Sequence, residues 1–155
     1  MSGYPVMPPI YSLGFHFCKW AAVDAQMMME RNRNFTLYKF PVDVLWMDIE
    51  WSDQNSQGDY NYFVYNPQNF TAPQIEQLNL EIEKSYRRIT VIVDPHIQKN
   101  SDYKVYADGK YLQKLPPKQN NITNIFIKTP RGNRDYVGWC WPGDSVWIDF
   151  LNENA

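Results

Sequence analysis

Cysteine is scarce in this 155-residue chain: Cys18 and Cys140 are too few for a disulfide framework. With only His16 and His96 beside them, they do not form a metal site either, so no metal or cofactor is expected. Free thiols of this kind are expected to be buried as small hydrophobes. Charge of one sign is lacking too. The net charge is -2 and Lys and Arg form no blocks, so neither a nucleic acid nor an anionic membrane is indicated as partner. No apolar run reaches the length of a membrane span. The opening Met1, Ser2, Gly3, Tyr4, Pro5 has neither the basic start nor the apolar core of a signal peptide; for a secretory protein this would not be the true beginning. Phosphate loops, nucleophile elbows, internal repeats and low-complexity tracts are all missing.

What is present suits a single domain: 44% of the residues are hydrophobic and 21% charged. Residues 42–50, V-D-V-L-W-M-D-I-E, form an apolar run that ends in two acids, Asp48 and Glu50. The run is short for a helix and reads as a strand buried on both faces, as parallel sheets require. The pattern returns at residues 88–97, R-I-T-V-I-V-D-P-H-I, where the run breaks at Asp94 and Pro95. Between them, Thr71-Ala72-Pro73-Gln74 has the form of a capping box, and Ile75, Leu78, Ile82 and Tyr86 recur at helical spacing. The unit is a strand, helix, strand crossover, and both strands end in carboxylates at the edge where parallel α/β folds place their working residues.

Elsewhere the pattern is less regular. Residues 11–20 read as an aromatic-rich first strand, and a helix is expected from Asp24 to about Phe35 with Met27, Met28 and Phe35 on its buried side. A loop carrying a short hairpin around Tyr62 to Tyr65 is expected in residues 51–70. Residues 101–113 read as partly helical, interrupted by the turn signal Asp108-Gly109, and residues 114–124 as an exposed insertion. Residues 125–128 and 136–141 read as short extended pieces joined by a turn, and the tail S-V-W-I-D-F-L-N-E-N-A as the start of an element that is cut off. Three sequons, at Asn34, Asn69 and Asn121, fit a lumenal chain or an Asn-rich composition.

Four segments, in this order, resemble one family. They are M-P-P-x-x-x-L-G-F-H-x-C-K-W at residues 7–20, D-V-L-W-M-D-I-E at 43–50, V-D-P-H-I at 93–97 and G-W-C-W-P-G at 138–143. Together they are similar to glycoside hydrolase family 31, the α-glucosidase family, and most to its endoplasmic-reticulum glucosidase II and neutral α-glucosidase branch. The resemblance implies an α/β fold, a partial (β/α)8 TIM barrel made of the first three βα units plus a loop insertion. Residues 1–155 would then be the N-terminal part of a glycoside hydrolase catalytic barrel. Members of the family are retaining enzymes, which need two carboxylates about 5 Å apart. The nucleophile motif W-x-D-M-N-E does not occur here. The resemblance thus implies that nucleophile and acid/base lie beyond the C-terminus and that this chain alone is inactive.

What it retains by motif is one wall of a sugar pocket. The resemblance implies that Asp48 accepts hydrogen bonds from the hydroxyls of a terminal glucose, as an ionised carboxylate does well. Ile49 and Ile92 would pack beside the ring, Trp20 and Trp141 would offer flat aromatic faces, and Asp94 and His96 would line the site. Without the motif context the tryptophans read as core or interface. Glu50 reads as a rim ion pair, and His96 and His16 as structural. Two departures, Trp51 where relatives often have His and Asn66 where they often have Asp, bear on substrate preference.

The implied substrate is an oligosaccharide or N-glycan with terminal α-linked glucose, and the implied compartment the endoplasmic reticulum lumen or another secretory one. A glucosidase II-like protein would also have a non-catalytic beta subunit as partner. The alternatives are a carbohydrate-binding remnant without chemistry, an α-xylosidase-type specificity in the full-length enzyme, and an unrelated small α/β enzyme using Asp48, Asp94 and His96. Barrel strands with unpaired edges also predict low thermal stability and self-association.

Overall fold

The computed structural model describes residues 3–20, 24–54, 60–116, 124–132 and 134–153. In chain order the strands and α-helices are β1 (His16–Phe17), α1 (Ala25–Leu37), β2 (Val44–Met47), β3 (Ser52–Gln54), β4 (Tyr60–Tyr65), α2 (Ala72–Lys84), β5 (Arg88–Val91), β6 (His96–Gln98), α3 (Lys104–Leu112), β7 (Gly138–Cys140) and β8 (Gly143–Trp147). They fall into two compact units, one within residues 1–51 and 65–92, the other within 52–64 and 93–155. No helix among the described residues is long and apolar enough to cross a membrane.

The first unit is built on a parallel sheet of order β1-β2-β5. Val44 stands opposite His16 on one side and Arg88 on the other, and Val44, Leu45 and Met47 are buried. The central strand is therefore of the kind its apolar run predicts. It is shorter, because pairing stops at Met47 and the chain turns through a 3-10 segment at Ile49–Trp51. The strand expected over residues 11–20 shrinks to His16–Phe17, since Ile10–Leu13 form a 3-10 turn. Gly14 follows, and the Asp43 carboxylate lies so near that a Cβ there would sit 2.1 Å from its Oδ2. That oxygen accepts the Phe15 N–H at 2.9 Å, which fixes the entry to β1.

Helix α1 begins where expected, with the Asp24 carboxylate accepting the Met27 N–H at 2.6 Å. Its buried face consists of Ala25, Met28, Met29 and Asn32, while Met27 and Phe35 are only half-buried. In α2, the Gln74 side chain accepts from the Thr71 N–H at 3.0 Å, and Leu78 and Ile82 are buried. Tyr86 departs from the expected stripe. The helix ends at Lys84, the Arg87 N–H returns to the Ile82 carbonyl, and Tyr86 adopts φ 57° with 93% of its surface exposed. Arg87 is instead buried between the layers, where Nη1 donates to Asn32 O at 2.8 Å, Asn32 Oδ1 at 2.7 Å and Thr36 Oγ1 at 2.9 Å, and Nε to Val42 O at 3.1 Å. Burial lowers its pKa, opposed by the Asp43 charge. Three parallel strands and two crossover helices are the beginning of a (β/α)8 arrangement, with no closed barrel among the described residues.

In the second unit, β3 pairs with β4, and the hairpin expected around Tyr62 to Tyr65 is not found there, since those residues lie within the single strand β4; residues 55–59 lie outside the described residues. The 88–97 run is not one strand. It stops pairing with β2 at Val91, and His96–Gln98 joins an antiparallel sheet of order β6-β8-β7. Within the tail, Ser145, Val146 and Trp147 complete β8 and pair with Gln98, Ile97 and His96. Isolated antiparallel bridges join Phe126 with Ile148 and Lys128 with Asp135. Of the insertion read at 114–124, residues 117–123 lie outside the described residues. Helix α3 runs through Asp108-Gly109 without a break. A Cβ at Gly109 would lie 2.7 Å from Phe126 Cζ, so the glycine serves close packing rather than a turn. Phe126 belongs to this unit's core with Ile97, Tyr103, Ile125 and Val146.

Candidate functional site

A parallel pair puts the residues that follow both strands at one edge, whatever lies further along the chain. Cys18 directly follows β1 and Asp48 directly follows β2, and the Cys18 thiol faces Asp48 Oδ2 at 3.7 Å. The other carboxylate oxygen, Oδ1, accepts the Ile49 N–H at 2.8 Å, which fixes the side chain at the strand end. Cys18 is exposed, not buried as a free thiol is expected to be. Its pKa is pushed up from the ordinary thiol value, first by desolvation and then by the charges of Asp48 and Glu50.

Ile92 continues the same edge. Its N–H donates to Met47 O at 3.2 Å, and its carbonyl accepts from the buried Trp51 indole at 2.8 Å. Trp51 thereby ties the end of β2 to the end of β5, a role the sequence does not show. Trp20, three residues past β1, is 67% exposed, which leaves its ring available to a ligand. His16 is structural, as read: its Nδ1 accepts from the Trp46 indole N–H at 2.9 Å.

The other candidates lie in the second unit. Asp94 is half-buried and its Oδ2 accepts the Tyr62 hydroxyl at 3.0 Å. His96 is buried, with the Tyr62 ring edge-on at a centroid distance of 5.2 Å and Nδ1 3.2 Å from Cys140 Sγ. Burial lowers its pKa and the Asp94 charge opposes that. Trp141 is 61% exposed and meets Trp139, 74% exposed, edge to face at 6.1 Å. Sequence reasoning passed over Trp139 and the Cys140 contact; period-two alternation along G-W-C would have signalled that the indole and the thiol leave on opposite faces.

The chemistry available is that of recognition. A fixed carboxylate at a strand end accepts hydroxyl hydrogens, and exposed indoles cover C–H faces. Among the described residues no three His, Cys, Asp or Glu side chains are grouped to hold a metal ion.

Comparison with known proteins gives a consistent result. Residues 5–155 match the family model of the glycosyl hydrolases family 31 TIM-barrel domain. The chain is 36% identical over 152 residues to neutral alpha-glucosidase C of Mus musculus, covering 98% of this chain and 15% of that protein. It is 31% identical over 153 residues to glucosidase 2 subunit alpha of Saccharomyces cerevisiae, covering 99% of this chain and 14% of that one. Among solved structures, a glucosidase II alpha subunit in its alpha3-Glc2-bound form superposes with a TM-score of 0.73 at 31% identity, over 92% of this chain and 14% of the other. An ER glucosidase II heterodimeric complex of catalytic subunit and regulatory-subunit binding domain gives the same TM-score, 0.73, over 92% of this chain and 14% of that one at 31% identity. The chain thus spans about 15% of the length of the curated relatives it matches.

Proposed function

The chain belongs to glycosyl hydrolase family 31, and from that premise we propose that it forms the first strands of an α-glucosidase-type barrel and one wall of its sugar pocket. The observation that carries this is the edge made by the ends of β1 and β2, where Asp48 is held by its neighbour's N–H with its second oxygen toward Cys18. In the proposal Asp48 accepts from hydroxyls of a terminal α-linked glucose, Ile49 and Ile92 flank it, Trp20 and Trp141 supply aromatic faces, and Asp94 and His96 line or support the site. Residues 1–155 act as a fragment of the catalytic barrel, and the nucleophile and acid/base come from the rest of a longer chain. Support for an oligosaccharide substrate, a regulatory partner subunit and an endoplasmic-reticulum setting comes from the relatives, which include a catalytic subunit bound to such a sugar and one in complex with its regulatory subunit. The test is the coding sequence past Ala155. An in-frame W-x-D-M-N-E run is expected, and an in-frame stop without one overturns the proposal.

A second reading, a sugar-binding protein without chemistry, is favoured by one observation: the Trp139 and Trp141 rings stand exposed side by side. Saturable quenching of tryptophan fluorescence by maltose in the 155-residue chain supports this reading; no response up to millimolar sugar removes it.

A further inference from the structure

The two free thiols stand in opposite surroundings. Cys18 is exposed but faces a carboxylate: Asp48 Oδ2 lies 3.7 Å away, and negative charge there opposes formation of a thiolate. Cys140 is half-buried on β7, one of the two edge strands of its sheet, and faces an imidazole: His96 Nδ1 lies 3.2 Å from Sγ. That ring is more than nine-tenths buried, is held by the Tyr62 ring, and is aimed at the sulfur. Its other nitrogen, Nε2, is buried without a hydrogen-bond partner among the described residues, so the Cys140 sulfur is the polar contact that Nδ1 has. A neutral imidazole within hydrogen-bond distance of a thiol is a proton acceptor for it.

From this contrast we propose that Cys140, with His96 as its proton acceptor, is a modification site for small-molecule disulfides, and that the more exposed Cys18 is the sluggish thiol. In the exchange the Cys140 S–H proton moves to His96 Nδ1, and Sγ attacks one sulfur of the disulfide. A new S–S bond forms as the old one breaks. The other half leaves as a thiolate with the bond's electron pair and takes up the proton from the imidazolium. Cys140 is oxidised and the leaving half reduced, so the disulfide is the only oxidant required. The attached group would sit on the strand segment between Trp139 and Trp141, whose rings are exposed.

The experiment follows the release of coloured thiolate when the 155-residue chain meets an excess of an aryl disulfide, with Cys18→Ser and Cys140→Ser used to assign the two phases. The Cys140 phase is expected to be faster by about tenfold, and His96→Gln to slow that phase by about tenfold while leaving the Cys18 phase unchanged. A Cys18 phase that is equal or faster overturns the proposal, as does a folded His96→Gln chain with an unaltered Cys140 rate. Should that variant fail to fold, the wild-type chain is treated with less than one equivalent of oxidised glutathione and mapped by mass spectrometry. The adduct is then expected on the peptide containing Trp139-Cys140-Trp141; an adduct on the Cys18 peptide refutes the site.

Discussion

Cys18 and Asp48 meet across the ends of two neighbouring parallel strands, thiol to carboxylate at 3.7 Å, although 30 residues separate them in the chain. The contact places Asp48 at the edge where β1 and β2 both finish. Replacing Asp48 by Asn keeps an oxygen for the Ile49 N–H and removes the charge that a sugar hydroxyl would meet. In an enzyme that contains this segment, Asp48→Asn is expected to lower kcat/KM for an aryl α-glucoside about ten- to hundredfold, the worth of a charged hydrogen bond. Urea unfolding of the same variant should shift by no more than about 1 kcal/mol. An unaltered kcat/KM would remove Asp48 from the pocket.

Arg87 gathers Asn32, Thr36 and Val42 around one buried guanidinium. Arg87→Ala takes the guanidinium donor from Asn32 Oδ1, Thr36 Oγ1 and Val42 O in a buried layer, while Asn32 O keeps the Thr36 hydroxyl, and the expected loss is about 3 kcal/mol in a urea titration. Arg87→Lys should recover only part of it, because one ammonium cannot reach acceptors arranged around a planar fork.

Gly109 lies under the Phe126 ring in α3. An alanine there gains about 1 kcal/mol of helix propensity but meets a buried ring at 2.7 Å. Overpacking of this kind costs about 1–3 kcal/mol, so Gly109→Ala is expected to destabilise the second unit on balance. A higher melting temperature for the variant would show that Phe126 gives way freely.

Asp135 accepts from Lys110 and Lys128, each at 2.5 Å. Burial alone would raise its pKa, but the two ammonium groups outweigh that and hold the carboxyl below the ordinary value. A depressed folded pKa contributes stability that is present above the unfolded value and is lost as pH falls through the folded one. The wild-type chain should therefore lose stability in the acid range below about pH 4, and Asp135→Asn should flatten that limb of a pH–stability curve. Equal acid limbs in the two proteins would count against the pairing.

Both edges of the parallel sheet, β1 and β5, lack a further strand partner among the described residues. Large apolar groups are also exposed, Val6, Met7 and Ile10 near one end and Leu151 near the other. The 155-residue chain on its own is expected to self-associate and to melt broadly at low temperature, as open edges with uncovered apolar surface do. A monodisperse monomer with one sharp transition would contradict this.

The amino-acid order alone determined the parallel core. An apolar run as dense as V-L-W-M is satisfied between two neighbours, the Asp24 and Gln74 signals start the two helices, and the acid at the end of the run marks the edge at which β1 and β2 both finish. The same order, through its four motifs, also pointed to the family. The second unit was decided only by tertiary structure. A continuous pattern from Arg88 to Ile97 divides between two sheets because β8, some fifty residues onward, supplies a better antiparallel partner for His96–Gln98 than the parallel neighbour of Val91 could. Gly109 looked like a turn because local propensity cannot register a ring arriving from Phe126. The contacts of Cys18 with Asp48 and of Cys140 with His96 were hidden for the same reason: each joins residues 30 or more positions apart, and pairing at that range exists only once the strands are in register.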